Sequence, residues 1–437
     1  MGLGNGQLVE DDRKMRKINR ADISMKAASI LPELERLYRD IHSHPELSFQ
    51  ETRTASLVSD LIDKFGFRTR TGIGGTGVVG IMQNGKGPCV MLRADMDALP
   101  VKEDTGLPYA SMVTSKEESG TDVPVMHACG HDMHVAWLLG ASQIMANIQD
   151  EWNGTLMVLF QPAEETGKGA AAMIRDGLAR DFPRPDVILG QHVMVGEAGT
   201  IGWCTGPATS ISDSLKVKLF GRGSHGSMPQ ASIDPVVMAA SVVLRLQTIV
   251  SREVPPSDFS VVTVGSIQAG QKDNVIPDEA TILLNVRSMD INTRDRVLAA
   301  ITRIVNAEAQ ASGAIRQPEI TQFEHYPMVQ NDPAATMKVV DSFKSFFGSD
   351  HLVQVKPTSA SEDFGIFGNE WHSPSVFWFV GGTDPNVYKE AVNKGLINEI
   401  PANHNPRFAP VIHPTLETGV QSLIAAAMPW LSQASGE

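Results

Sequence analysis

Side chains that can do chemistry are most concentrated at residues 126–134, where a thiol, three imidazoles and a carboxylate lie close together in sequence. Cys129 and His131 flank a single glycine, so both side chains can turn toward one centre. A thiolate beside an imidazole is a donor pair suited to zinc or a related transition metal. The alternative is a polar turn that caps the apolar run 135–145, and this segment alone leaves both interpretations open.

Three apolar runs, each typical of a buried strand, end in residues that can bind a metal or move a proton. Ligand sites of open α/β sheets lie at the carboxyl ends of strands, so these groups are expected to converge. Paired glutamates are the most informative, because one can bind a metal while its neighbour takes and gives protons. The alternative for the aspartates is a solvated turn. The runs and their groups are 90–94 with Asp95 and Asp97, 155–160 with Glu164 and Glu165, and 187–190 with His192.

The glycine-rich segment 72–77 fits the G-x-G-x-x-G pattern of dinucleotide-binding loops. Such a loop opens a helix, whereas here the strand-like run 78–82 follows. We therefore interpret the segment as a turn between two strands.

The pattern changes at Ser214, where strand and helix signals follow in the order strand, helix, strand, strand, helix, strand. This order is a split βαβ layout, and it predicts an inserted α+β domain over residues 210–325. Residues 1–209 and 326–437 then form the other domain, with residues 1–20 as a mobile tail. A glycine-rich loop of the inserted domain, residues 221–229, presents His225.

Composition excludes several classes of protein. The chain has 437 residues, enough for two domains, and its 37 basic against 50 acidic residues give a net charge of −13. No basic run supports nucleic-acid binding. Three widely spaced cysteines argue against a disulfide scaffold, and neither a secretory signal nor an apolar run near 18 residues is evident. We therefore expect a cytoplasmic protein without a membrane segment.

Together these motifs resemble the dinuclear-metal aminoacylase and carboxypeptidase-G-like amidohydrolases, in the branch of hippurate hydrolases, N-acyl-amino-acid amidohydrolases and auxin-conjugate hydrolases. The resemblance spans roughly residues 30–430 and includes many motifs in the same order. The segments that carry it are 93–100, 127–134, 161–165, 190–192, 223–229, 274–277, 361–364 and 404–408. Residues 226 and 227, glycine and serine here, are commonly alanines in relatives, and both replacements are small.

The resemblance implies an α/β catalytic domain with a mostly parallel central sheet, interrupted by a smaller α+β domain that acts as a lid and dimerises. It implies two divalent metal ions per subunit, zinc or manganese with cobalt also possible. It further implies that His225 reaches a neighbouring subunit's active site and that Asn274 and Arg287 contact the substrate. The implied ligands are Cys129, His131, Glu165, His192 and His404, and Asp95, Asp97, Asp132 and His134 are expected to support them.

The function expected from this resemblance is hydrolysis of N-acyl-amino acids by a metal-activated water, with Glu164 as general acid/base and His225 stabilising the oxyanion. A carboxypeptidase or dipeptidase of the same superfamily would share every ligand and is the main alternative. A non-catalytic metal-binding protein would not need Glu164. A nicotinamide oxidoreductase would rest only on the glycine-rich segment 72–77.

Overall fold

The computed structural model describes residues 20–117 and 119–432, so the predicted tail lies almost entirely outside the described residues. Apolar periodicity predicts most of its helices. The longest predicted ones, 23–41 and 293–311, begin three and two residues later than the observed helices α1 and α7. The α-helices are α1 (Arg20–His42), α2 (Thr52–Lys64), α3 (His131–Asn147), α4 (Gly169–Arg175), α5 (Leu178–Asp181), α6 (Pro235–Thr248), α7 (Ile291–Ala311), α8 (Pro333–Phe347), α9 (Gly365–Trp371), α10 (Pro385–Lys394) and α11 (Ile412–Leu431).

The strands are grouped into one large sheet, one four-stranded sheet and several short two-stranded pairs. In chain order they are β1 (Arg68–Ile73), β2 (Gly77–Asn84), β3 (Cys89–Asp95), β4 (Thr114–Lys116), β5 (Asp122–Pro124), β6 (Gly154–Gln161), β7 (Val187–Glu197), β8 (Ile201–Trp203), β9 (Gly206–Pro207), β10 (Ile211–Phe220), β11 (Ser224–His225), β12 (Ser260–Ala269), β13 (Val275–Ile276), β14 (Glu279–Ser288), β15 (Glu319–Tyr326), β16 (Gln330–Asn331), β17 (Leu352–Gln354) and β18 (Ser375–Thr383).

The large sheet has eight strands in the order β1-β2-β6-β3-β7-β18-β8-β17. Its centre, from β6 through β18, is parallel, while β1 and β2 extend it as an antiparallel edge. This confirms the expected α/β fold with a mostly parallel central sheet. Because β1 and β2 are joined by a tight turn, the glycine-rich segment 72–77 is a turn between strands, as predicted.

Helix α3 carries the reactive segment into the middle of the molecule. It is apolar on almost every side and buried over nearly its whole length, which is the pattern of a core helix. It packs between α1 and α11 and against the large sheet. The first residue of this helix, His131, is therefore held in a rigid and fully buried position.

The second sheet is antiparallel, with the order β12-β14-β10-β15. Strand β14 alternates between buried and partly exposed residues, and α6 and α7 pack together and contact this sheet. Its core, which includes Val217, Leu246, Ile282 and Ile301, is separate from the core of the large sheet. The observed element order β10-α6-β12-β14-α7-β15 is the predicted one. The division of the chain at residues 210 and 325 stays a prediction.

Among the described residues, Pro235–Glu253 is a helical segment long and apolar enough to cross a membrane by length and composition. The sequence analysis did not identify it, because Arg245 and several small polar residues interrupt its apolar run. In the structure α6 continues into a π-helical turn, Ile249–Glu253, and Met238, Val242 and Leu246 are buried in the core of the second sheet. The apolar residues that α6 packs into this core also satisfy the criterion of length and composition for a membrane span.

Candidate metal centre

The three predicted strand ends meet at one edge of the large sheet. Strands β6, β3 and β7 are parallel neighbours, with Asp95 paired to Gln161 and Arg93 paired to Gly190. The acidic residues that follow β3 and β6 therefore lie together. One detail was predicted wrongly: β7 does not stop at His192 but continues to Glu197, because it goes on pairing with β18 beyond the apolar run.

His131 is buried, and among the described residues only one of its two ring nitrogens has a hydrogen-bond partner. Its Nδ1 lies 3.2 Å from Asp97 Oδ1, so this nitrogen donates to the carboxylate. Its Nε2 has no hydrogen-bond partner among the described residues and lies 3.8 Å from Glu165 Oε1. Although burial lowers the pKa of His131, the surrounding carboxylates, Asp95 first, raise it to about 10. In the absence of a metal ion, a proton on His131 Nε2 therefore supplies the positive charge that the surrounding carboxylates favour.

Cys129 and His192 face each other across the strand edge. His192 Nδ1 lies 2.8 Å from the carbonyl oxygen of Val193 and must donate to it, which leaves Nε2 with a lone pair. That Nε2 is 3.5 Å from Cys129 Sγ. Burial lowers the pKa of His192 well below its usual value, and burial together with Glu165 raises the pKa of the Cys129 thiol. A neutral imidazole is therefore available as a ligand, whereas the thiolate requires a nearby cation.

Glu165 links the remaining donors. Its Oε2 lies 3.3 Å from His404 Nε2, and its Oε1 is buried without a hydrogen-bond partner. Donor atoms of Cys129, Glu165 and His404 lie within 4.8 Å of one another, and so do those of His131, Glu164 and Glu165. The structure thus brings together all the predicted ligands.

This donor set fits a metal. Sulfur, imidazole nitrogen and carboxylate oxygen are the donors that zinc and similar transition metals accept. A buried polar atom without a partner costs free energy, so His131 Nε2 and Glu165 Oε1 indicate a missing partner that is electropositive. Among the described residues, neither atom forms an ion pair with a lysine or arginine, although Arg287 lines the same cavity.

Three of the predicted supporting residues hold the ligands in place. Asp97 accepts from His131 through Oδ1 and from the backbone N–H of Glu165, at 3.0 Å, through Oδ2. His134 donates from Nδ1 to Asp95 at 2.5 Å and accepts at Nε2 from the N–H of Val193 at 2.9 Å. Both ring nitrogens of His134 are therefore used, and it has no lone pair left for a metal.

Glu164 lies beside the ligands in the short 3₁₀ turn Glu164–Thr166 that follows β6. It is 5% exposed, and burial together with the carboxylates of Glu362 and Glu165 raises its pKa well above the usual value. Tyr326 donates from its hydroxyl to the carbonyl oxygen of Glu164 at 3.3 Å. A carboxyl group in these surroundings is suited to hold and release a proton.

These side chains open into a cavity of about 390 Å³ between the large and the four-stranded sheet. On the side of the large sheet, the cavity is lined by Cys129, Glu164, Glu165, His192 and His404. The other sheet contributes Arg287, Glu324 and Tyr326. The cavity can therefore hold a small molecule against the ligands.

A model of peptidase family M20/M25/M40 matches residues 91–425, which include every predicted ligand. The chain belongs to this family.

Relatives of known name differ in the reactions that their names state. The chain is 40% identical to the hippurate hydrolase of Campylobacter jejuni over 77% of this chain and 85% of that protein. It is 34% identical to thermostable carboxypeptidase 1 of Saccharolobus solfataricus over 82% of this chain and 89% of that protein. Among solved structures, the Bacillus subtilis YXEP protein, a dinuclear metal binding peptidase from the M20 family, matches with a TM-score of 0.74 and 27% identity over 93% of this chain and all of that one.

One network of this M20 family member was not anticipated as such from the sequence. Arg93 is 1% exposed in the middle of β3, and its guanidinium donates to four side chains. Its partners are Asp95 at 2.7 Å, Glu362 at 2.7 Å, Gln161 at 2.8 Å and Asp363 at 3.3 Å. The signal available was an arginine inside an otherwise apolar run, which must find buried anions.

Asp132 does not turn toward the ligands. Its Oδ2 lies 2.6 Å from Nδ1 of His42, whose Nε2 lies 3.1 Å from Glu103. Burial lowers the pKa of His42, but Asp132 and Glu103 outweigh that effect and raise it to about 9. His42 is thus buried, whereas His44, two residues further on, is exposed and hydrogen-bonded to the carbonyl oxygen of Asp40.

The structure places the remaining predicted residues apart. Arg287 lines the cavity, and its Nη1 donates to the carbonyl oxygen of Ser359 at 2.7 Å. His225 is exposed, with its Nδ1 2.7 Å from the hydroxyl of Ser227. His225 and Asn274 are neighbours, since Gly226 donates to the carbonyl of Asn274, but within the described part of this one chain neither lines the cavity.

Proposed function

We propose that the protein is a metal-dependent amidohydrolase that cleaves N-acyl-amino acids to a carboxylic acid and a free amino acid. The observation that carries this proposal is the pair of buried donor atoms without a described hydrogen-bond partner, His131 Nε2 and Glu165 Oε1, beside the buried carboxyl group of Glu164. The 40% identity to a hippurate hydrolase supports the substrate class, because hippurate is itself an N-acyl-amino acid.

Two divalent metal ions would be held by the five predicted ligands. Glu165 lies in one close donor group with Cys129 and His404 and in another with His131, which supports its place in the ligand set. The thiolate of Cys129 and the imidazoles favour zinc, and manganese and cobalt are the other candidates. The dinuclear character of the Bacillus subtilis relative supports the number of ions.

The protein's own groups would supply the proton transfers. When bound, the metal ions supply a nucleophile at neutral pH and polarise the scissile carbonyl. Glu164 takes a proton from the attacking water and gives it to the departing amide nitrogen, which converts that nitrogen into a good leaving group. Its burial excludes bulk water from this exchange. Arg287 lines the same cavity, and its charge suits the α-carboxylate of the substrate.

A homodimer through the four-stranded sheet would complete the site. Strand β12 is an exposed edge of that sheet, and α6 beside it exposes Val237 by 61% and Leu244 by 73%. An exposed edge with apolar side chains is typical of an interface. His225 would then reach the cavity of the partner subunit and donate to the oxyanion. Asn274, adjacent to His225, would contact substrate in the same way.

Subunit exchange tests this arrangement. His225→Ala and Glu164→Ala homodimers should each be inactive, and mixing them should restore activity, because each mixed dimer holds one site with both residues intact. Mass spectrometry would verify the exchange. Exchange without recovered activity contradicts the contribution of His225 across subunits.

A carboxypeptidase is the second candidate, and the similarity to thermostable carboxypeptidase 1 favours it. The deciding experiment is a hydrolysis screen of N-benzoyl- and N-acetyl-amino acids against dipeptides, each with zinc, manganese and cobalt. We expect higher kcat/KM for the N-acyl-amino acids. Faster hydrolysis of dipeptides would reverse the assignment, and no hydrolysis with any metal would refute both.

We infer a cytoplasmic location from the cysteines. Cys89, Cys129 and Cys204 are all free thiols, and Cys129 is needed as a thiolate. Unpaired thiols persist in reducing compartments. Localisation of a tagged protein in the source cell would test the inference.

A further inference from the structure

Glu51 is a buried carboxylate outside the metal centre. It lies just before α2, with 0% of its surface exposed. Its Oε1 accepts the backbone N–H of Phe49 at 3.0 Å and the backbone N–H of Ala163 at 2.8 Å. Its Oε2 accepts the hydroxyl of Thr76. One carboxylate thus joins three segments that are far apart in sequence.

The two backbone groups held by Glu51 Oε1 belong to residues in the left-handed conformation. Phe49 has φ 62° and Ala163 has φ 50°. For a residue other than glycine this conformation costs roughly 1–2 kcal/mol, and it persists only where the surroundings enforce it. At Ala163 the carbonyl is fixed as well, because Gly169 and Thr166 both donate to it at 3.1 Å.

The conformation of Ala163 sets the direction of Glu164. Strand β6 ends at Gln161, and Ala163 is the N-cap of the 3₁₀ turn that begins with Glu164. A change of φ at Ala163 would rotate this turn and move the carboxyl of Glu164 relative to the ligands. Displacements of about 1 Å in such a group can cost about 10²-fold in rate.

We propose that Glu51 is a positioning residue for the reaction: it holds Ala163 in the left-handed conformation and thereby aims Glu164 at the substrate. This inference rests on the proposed function, because it concerns the proton transfer of that same site. Glu51 is not among the residues that line the cavity, so it acts through Ala163 and not on the substrate. Burial and the nearby charge of Asp97 both disfavour an ionised carboxylate at Glu51. The hydrogen bonds that Glu51 accepts must therefore offset this cost.

Glu46 provides a matched control, because its side chain binds the start of the same helix. Its Oε1 accepts the N–H of Arg53 and its Oε2 the N–H of Thr54, both at 2.8 Å. These bonds cap the start of α2, as a capping side chain does. No hydrogen bond connects the Glu46 side chain with residues 161–169. Glu46→Ala therefore loosens α2 without releasing Ala163.

The experiment compares Glu51→Ala, Glu51→Asp and Glu51→Gln with Glu46→Ala in the metal-loaded enzyme. We measure kcat, KM, metal content and the thermal midpoint on N-benzoylglycine or whichever N-acyl-amino acid the wild type hydrolyses best. Glu51→Asp shortens the side chain by one methylene and is the mildest change that withdraws the carboxylate. Glu51→Gln keeps the length, and its amide oxygen can accept both N–H groups while its NH₂ donates to Thr76.

We expect Glu51→Ala and Glu51→Asp to lower kcat by about 10²-fold, with KM close to wild type. The effect on metal content should be much smaller, because Asp97 also holds the backbone N–H of Glu165 in the same turn. Glu51→Gln should recover most of kcat, and Glu46→Ala should lower the thermal midpoint while kcat is kept. Wild-type kcat in Glu51→Asp overturns the inference, and so does an equal loss of kcat in Glu51→Gln or in Glu46→Ala. Inactivity of the wild type on every N-acyl-amino acid would instead refute the proposed function, before any variant is made.

Discussion

Two acidic clusters share one edge of the large sheet, and they are neutralised in different ways. In the first, Arg93 donates to Asp95, Glu362 and Asp363 and satisfies them. In the second, the described neighbours of the Glu165 carboxylate are imidazoles and a thiol, and its Oε1 has no hydrogen-bond partner in the described part of the chain. Both clusters are buried, so both need positive charge. The protein supplies that charge to the first cluster and leaves the second for a metal.

The difference shows how burial can be read for function. A buried anion that is neutralised by the chain's own side chains stabilises the fold. A buried anion without such a partner indicates a binding site for a cation. Asp95 connects the two, since its Oδ2 lies 2.7 Å from Arg93 and 3.6 Å from His131 Nε2. Asp95 therefore fixes the distance between the guanidinium of Arg93 and the predicted metal position. The arginine and the metal can be removed in separate experiments.

The largest expected effect is that of replacing Glu164, which lies in the second cluster but is not a predicted ligand. Glu164→Gln should lower kcat by about 10²–10⁴-fold, the usual range for loss of a general acid/base. Metal content, measured by elemental analysis, should stay at the wild-type value. Loss of metal in this variant would show that Glu164 and Glu165 have exchanged roles.

Arg93 tests the neutralised cluster. Arg93→Met keeps an unbranched side chain about as long as the apolar stem of arginine but leaves three carboxylates without their cation. We expect the free energy of unfolding to fall by about 3–5 kcal/mol, the cost of breaking a buried ion pair. Denaturant titration of metal-loaded and chelator-treated protein should give the same loss. A loss that disappears on chelation would mean that Arg93 serves the metal.

Cys129 tests the donor set of the second cluster. Cys129→Ser replaces a soft thiolate with a poorly acidic hydroxyl, so zinc affinity should fall by at least about 10-fold. Competition with a chromophoric chelator measures it directly. The matched control is Cys204→Ser, a buried thiol on the large sheet outside the donor groups, which should keep its zinc. Equal zinc affinity of the Cys129→Ser variant and the wild type would exclude ligation.

His42 is a second cation that the chain supplies itself, and its effect is the smallest. Its pKa is about 9 in the folded protein against 6.5 for an ordinary histidine. The bound proton therefore stabilises the fold fully below pH about 6.5, and this contribution is lost as pH rises to about 9. Wild-type stability should fall by about 1–3 kcal/mol across that window, and the decrease should be smaller in His42→Gln. Identical pH profiles would show that His42 is neutral.

Much of this arrangement could be predicted from the sequence. Apolar runs fixed the positions of β3, β6 and β7, and parallel pairing then brought Asp95, Glu164 and Glu165 to one edge. The residue types and spacing around Cys129 and His131 indicated a metal site, but this segment alone left a polar turn open as the alternative. The family resemblance added His404, which is distant in sequence and follows no apolar strand.

Other features could not be predicted because they depend on side-chain direction. Asp132 is adjacent to His131, yet a helix turns neighbouring side chains about 100° apart, so Asp132 meets His42 instead of the ligands. The left-handed conformation of Ala163 has no signal in an alanine. The exposed position of His225, away from the cavity of this chain, depends on how the two sheets are placed and has no local signal in the sequence.

The two strands that carry the chain into and out of the four-stranded sheet, β10 and β15, are paired neighbours, with Ser212 opposite Tyr326. Paired residues of adjacent strands lie about 5 Å apart, so the chain enters and leaves the four-stranded sheet at nearly the same place. The segment between these two strands therefore has the end-to-end span of a tight hairpin, and the pairing sets that span whatever the length of the segment. A change in the length of this segment would leave the strands that position the predicted ligands where they are.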